Sequence, residues 1–151
     1  MTCSKLVLAL MLCSSSVVAQ GGGSLNIGNA AVPTVPEKGS IERKAIVDAL
    51  RVPIIKQLKQ HVIFKIDHLK VQNNWAFLSV RPQNYDGSAI DYTNTVYQDA
   101  VDSGAFDDAI VALLRKVNAK WRVVRFVIGA TDVPYVDWDK KYRAPKGIFI
   151  Q

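Results

Sequence analysis

The longest regular pattern of apolar and polar positions runs from Asp108 to Gly129. Val111, Leu113 and Val117 alternate with Ile110, Ala112 and Leu114 on a first arm. Trp121, Val123 and Val127 alternate with Val124, Phe126 and Ile128 on a second. Asn118 and Ala119 lie between the arms, which predicts two β-strands joined by a tight turn. Both parities are apolar, so both faces of this hairpin are expected to be covered.

A second hairpin is predicted upstream. His61–Val71 alternates imperfectly, 72–74 is a polar turn, and Trp75–Arg81 returns, closed by Pro82. In both hairpins a Lys-Val pair and a polar turn precede the Trp that opens the returning strand. Ahead of them, residues 40–60 read as helix. Ser40 is the expected N-cap, and Glu42 suits the positive first turn. Ile41, Ala45, Ala49 and Leu50 form the expected apolar stripe. Pro53 lacks an N–H and should kink this helix or begin another. The order α-β-β-loop-β-β predicts an α+β fold. A kinked N-terminal helix would pack on a curved four-stranded antiparallel sheet.

The first nineteen residues carry a different signal. Lys5, the apolar run Leu6–Leu12 and the sequence Val17-Val18-Ala19 before Gln20 fit a secretory leader. The run is too short to span a membrane. A lipoprotein leader ending at Cys13 is the alternative, although Leu12 is bulky for that role. Cys3 and Cys13 are the only cysteines, and both lie in the leader. The exported chain would therefore have no disulfide framework and no thiolate metal site. Residues 20–39, rich in Gly, Ser, Asn and Pro, read as a flexible linker to a single domain at 40–151.

Charge is unevenly distributed. The whole chain carries +6, and loss of Lys5 with the leader lowers this by one. No Lys or Arg falls between Arg81 and Arg115, yet Asp86, Asp91, Asp99, Asp102, Asp107 and Asp108 do. Within that stretch Asp86-Gly87 marks a turn, and 97–101 predicts a helical turn ended near Gly104. The tail after Ala130 is basic and aromatic, with Trp138 and Tyr142 on one side of a short turn. Such a tail fits nucleic acid in a cytosolic protein, but export argues against nucleic acid. Another envelope protein or an anionic envelope component suits it better, and the opposed charge blocks also allow a homodimer. The plain structural reading is a tail packed on the sheet with its lysines in solvent.

The stretch SIERKAIVDALR, the strand WAFLSVRP and the hairpin ALLRKVNAKWRVVRFVIGATDV together resemble the cystatin-like and nuclear-transport-factor-like superfamily of α+β cones. The resemblance extends to a group of secreted bacterial proteins of that arrangement. It implies a cone built from helix and curled sheet. It selects no reaction, since such folds include isomerases, dehydratases, inhibitors and binding domains.

Candidate chemistry is sparse. His61 and His68 are the only histidines, and on a regular strand they face opposite ways. A metal site or a dyad of His68 with Asp67 stands against ordinary strand-face histidines. Asp132, just past the last strand, is a candidate general base at a pocket mouth with Tyr135 and Trp138. Capping of the turn before Pro134 explains Asp132 equally well. Arg125 lies in an apolar run and is a candidate to point inward, toward a carboxylate or a ligand. The candidate catalytic residues are thus Asp132 and His68, and the candidate ligand-binding residues are Arg125, Asp132, Tyr135 and Trp138. No nucleophile elbow, phosphate-binding glycine loop, zinc spacing or heptad run occurs, so no metal or cofactor is expected. An exported binding or accessory domain without catalysis fits these features. The alternatives are a small cone enzyme of isomerase, dehydratase or hydrolase type, and an inhibitor or immunity protein for an envelope hydrolase.

Overall fold

The computed structural model describes residues 31–150. The expected leader and the first part of the expected linker lie outside them. Helix α1 (Ile41–Leu58) is followed by strands β1 (Ile63–Gln72) and β2 (Trp75–Gln83). A one-turn helix α2 (Gln98–Asp102) precedes β3 (Ile110–Val117) and β4 (Lys120–Ile128). Helix α3 (Trp138–Tyr142) and a 3-10 turn (Lys146–Phe149) form the tail. The strands make one curved, unclosed antiparallel sheet in the order β1-β2-β3-β4, and the fold is α+β.

The hairpin turns follow from two residues each in left-handed backbone. Asn73 and Asn74 have φ of 51° and 64°, and Asn118 and Ala119 have φ of 49° and 61°. Such two-residue turns match the natural twist of the paired strands. Asn tolerates this conformation, whereas Ala has no local hydrogen bond to offset its cost. Pro82 belongs to β2 and does not end it. It lies beyond Val80, the last β2 residue paired with β3, so its missing N–H breaks no bond to that strand.

Ser40 caps α1, its Oγ accepting from the Arg43 N–H at 3.2 Å. The buried stripe shares Leu50 and the half-buried Ala49 with the expected one, but not Ile41 or Ala45. Ile46, Leu50, Ile54 and Leu58 face the sheet, whereas Ile41 is 89% exposed and Ala45 is also in solvent. The true stripe repeats every four residues straight through Pro53, which leaves the helix as one element. Proline costs one intrahelical bond there. Complete burial of Ile54 and near-complete burial of Leu58 beyond it offsets this by roughly 1.5–3 kcal/mol each.

The sheet is covered on both faces. On one side α1 packs on Leu69, Val71, Leu78, Val80, Ile110, Ala112, Leu114, Trp121 and Ile128. On the other, Trp75, Phe77, Val111 and Leu113 receive Trp138, Ala144 and Ile148 from the tail. The tail therefore packs on the sheet, with Trp138 only 3% exposed. Of the expected linker, residues 31–39 lie within the described region. Thr34 exchanges two backbone hydrogen bonds with Val71 at 2.8 Å, along the β1 edge.

Two β-bulges re-aim side chains. Between Ile66 and His68 the pairing skips Asp67, so helix-facing positions change from Phe64 and Ile66 to Leu69 and Val71. Between Val123 and Arg125 it skips Val124. Arg122 pairs with Arg115 and Arg125 with Leu113, two positions apart on β3. Residues three apart on β4 thereby share the outer face, which a regular strand would forbid.

Candidate functional site

The space between α1 and the sheet is filled. Ile46, Leu50, Ile54, Leu78, Val80, Ala112 and Leu114 have no exposed surface there. Among the described residues no polar or charged residue is buried. The concavities are on the surface.

One is a groove of about 530 Å3 that runs along the free edge of β4. Its long wall is the strand itself from Val123 to Ile128, and its far wall is Pro53, Gln57 and Tyr97. Gln57 Nε2 donates to the Tyr97 hydroxyl at 2.5 Å and ties α1 to the acidic connection. Tyr97 packs on Phe106 with ring centroids 5.8 Å apart, and Phe106 packs on Tyr92 at 4.6 Å. Burial pushes the Tyr97 phenol up and, helped by Asp108, the Tyr92 phenol up to about 12. Tyr97, the groove's aromatic wall residue, is thus backed by Phe106 and Tyr92.

Arg125 lines this groove. It does not point inward as expected, because the bulge at Val124 turns it to the outer face, where it is exposed. Among the described residues no carboxylate pairs with Lys120, Arg122 or Arg125. The acidic side chains nearest in sequence are taken elsewhere. Arg81 Nε bonds Asp67 at 3.1 Å, and its Nη1 bonds Asp108 and lies 3.7 Å from Asp107. Asp108, then Asp67 and Asp107, raise the Arg81 pKa. This guanidinium pins the end of the acidic connection to β1 and β2. All four side chains are partly solvated, so the pinning is geometric more than energetic.

His68 sits on a face of β1, opposite Ser79 of β2. Its Nε2 lies 3.0 Å from the Ile148 carbonyl, so the Nε2–H donates to the tail. Its ring tilts against Phe77 at 5.6 Å. Asp67, the bulge residue, serves Arg81 and not His68. His61 is exposed ahead of β1. Among the described residues no three His, Cys, Asp or Glu side chains gather as a metal-binding set.

The remaining predicted positions separate. Asp132 is exposed in the bend after β4, with no hydrogen bond or ion pair to a described residue. Tyr135 and Trp138 come together, rings 6.3 Å apart, as part of the packing around Phe77. Tyr135 also lines a shallow hollow of about 230 Å3 with Val133, Val136 and Phe149. Gln57, Tyr97 and Pro53 escaped sequence reasoning, because nothing local places a helix C-terminal half and a distant loop beside β4. Comparison with protein-family models, curated proteins and solved structures finds no match to this chain. Among the described residues no helix is long and apolar enough to cross a membrane.

Proposed function

We propose that this protein is an exported, non-catalytic binding or accessory domain of the periplasm or cell envelope, with an anionic partner. The carrying observation is the concentration of unpaired cations on one side of the molecule. Arg115, Arg122 and Arg125 occupy the outer face of β3 and β4. The tail that covers the same face brings Lys140, Lys141 and Arg143, also without carboxylate partners among the described residues. Cations left unpaired in this way attract and orient an opposite charge more than they stabilise the fold. The cystatin-like cone reading of the fold belongs to this proposal and rests on element order and sheet curvature.

The close packing between α1 and the sheet weighs against a small-molecule cone enzyme, which needs an enclosed cavity there. Equilibrium binding to polyglutamate and to inorganic polyphosphate across a salt series tests the anionic partner. Binding that weakens steeply with salt is expected. No binding to either polymer at low salt overturns the proposal. Cell fractionation tests export, and recovery of the chain in the cytosol with its first nineteen residues intact sinks that half.

A further inference from the structure

Resting on the reading of an anionic partner, we infer that β4 is a docking edge for an extended segment that alternates acidic and apolar residues. The partner strand would add to the sheet beside β4. β4 ends the sheet, and among the described residues nothing bridges its outer edge, whereas Thr34 bridges the opposite edge strand. An unpaired edge offers a row of backbone donors and acceptors to a further strand.

The surroundings specify what that strand must carry. Side chains of an added strand would alternate between the two faces of the sheet. Those on the helix side meet Pro53, Phe126 and the Gln57–Tyr97 pair, a largely apolar wall. Those on the outer side come beside Lys120, Arg122 and Arg125, which the bulge has gathered on one face. Apolar residues therefore suit one parity and carboxylates the other. β4 spans Lys120–Ile128, room for a strand of about 30 Å, and the groove lies beside its Val123–Ile128 part.

The same cations decide against a second copy. Two β4 edges pairing about a two-fold axis would bring Lys120, Arg122 and Arg125 of each copy into one row of like charge. Charged edge residues usually protect a sheet from self-pairing. Here they bar the wrong neighbour and select one of opposite sign.

The test uses two peptides of about ten residues with the same Glu and Val content, one strictly alternating and one arranged in two blocks. Binding to the chain is read by fluorescence anisotropy, and location by NMR with amide exchange. The alternating peptide is expected to bind about tenfold tighter than its block isomer and to slow exchange of β4 amides. The variant R122E/R125E should lose about tenfold in affinity for it, while K38E/K65E, with Lys65 on the opposite edge strand β1, keeps the affinity unchanged. Both pairs are exposed, and unchanged circular dichroism confirms folding. Equal affinity for the two isomers, or shifts confined to the tail, overturns the strand inference while leaving polyanion binding intact. Failure of polyglutamate to bind as well overturns the underlying reading. A dimer in sedimentation that is broken by R122E/R125E assigns the edge to a second copy and also overturns the inference.

Discussion

Gly129→Ala probes how tightly the acidic connection is locked to the end of β4. Gly129 has φ of +77°, and its N–H donates to the Ala109 carbonyl at 3.0 Å. A Cβ added there would lie 2.0 Å from Phe106 Cε2 and 2.3 Å from Cδ2. Phe106 cannot simply retreat, since Tyr92 stands across its ring at 4.6 Å. Two costs therefore add. Left-handed backbone costs an alanine about 1–2 kcal/mol. Overpacking costs a further ~1–3 kcal/mol. The sum is about 3 kcal/mol. Gly104→Ala isolates the first cost, because Gly104 has φ of +73° and nothing within 4 Å of an added Cβ. Urea unfolding followed by tryptophan fluorescence should place Gly129→Ala roughly 2 kcal/mol below Gly104→Ala. In a Phe106→Ala background that difference should vanish, a coupling readable as a double-mutant cycle. Equal destabilisation by the two glycine substitutions, or a difference that survives removal of the Phe106 ring, would refute the clash.

Ala119→Gly relieves a left-handed alanine in the β3–β4 turn and should raise unfolding stability by about 0.5–1 kcal/mol; a loss in urea midpoint would contradict the turn. Phe77 is fully buried beneath Tyr135 at 4.6 Å and Phe149 at 4.8 Å, so Phe77→Ala should cost about 3–5 kcal/mol. It should also expose Lys140 and Lys141 to trypsin below the global unfolding transition, and a tail that stays resistant there would show that other contacts hold it. Tyr92 has its phenol raised to about 12 by burial, so ionisation is disfavoured in the folded state. The associated stability is complete below pH 10 and is lost as the pH rises through about 12. Absorbance titration should show a late phenolate step that Tyr92→Phe removes, and persistence of that step in the variant would assign it elsewhere.

The hairpins were legible because each is a local pattern. Alternating apolar residues flank a turn pair, and Asn73-Asn74 and Asn118-Ala119 fall where the polarity breaks. The N-cap was legible because Ser40 bonds a group three residues away. Of the helix stripe, Ala49 and Leu50 were legible, Ile46 was missed in favour of Ile41 and Ala45, and the remainder runs on past Pro53. The burying residues Ile54 and Leu58 lie beyond it and align with Ile46 and Leu50 only if the helix continues. Helix continuation through proline is decided by what the far half packs against, and that is tertiary information. The groove was illegible for the same reason, since Gln57 and Tyr97 are forty residues apart in the chain.

The bulges explain why the candidate site moved. Arg122 and Arg125 are three apart, so a regular strand would put one on each face, and an arginine in the apolar run then looks buried. Skipping Val124 returns both to one side and leaves Phe126 and Ile128 for the helix. Asp67 repeats the logic on β1. Its extra residue frees a carboxylate for Arg81 and sets Leu69 and Val71 against α1. Each bulge occurs on an edge strand, where an unpaired residue disturbs one ladder only. Removing Val124 would therefore do more than shorten a strand. It would place Arg122 and Arg125 on opposite faces or push Phe126 and Ile128 out of the core. Apolar burial favours keeping the latter pair inside. The charge pattern on the outer face is thus a consequence of core packing at the end of β4.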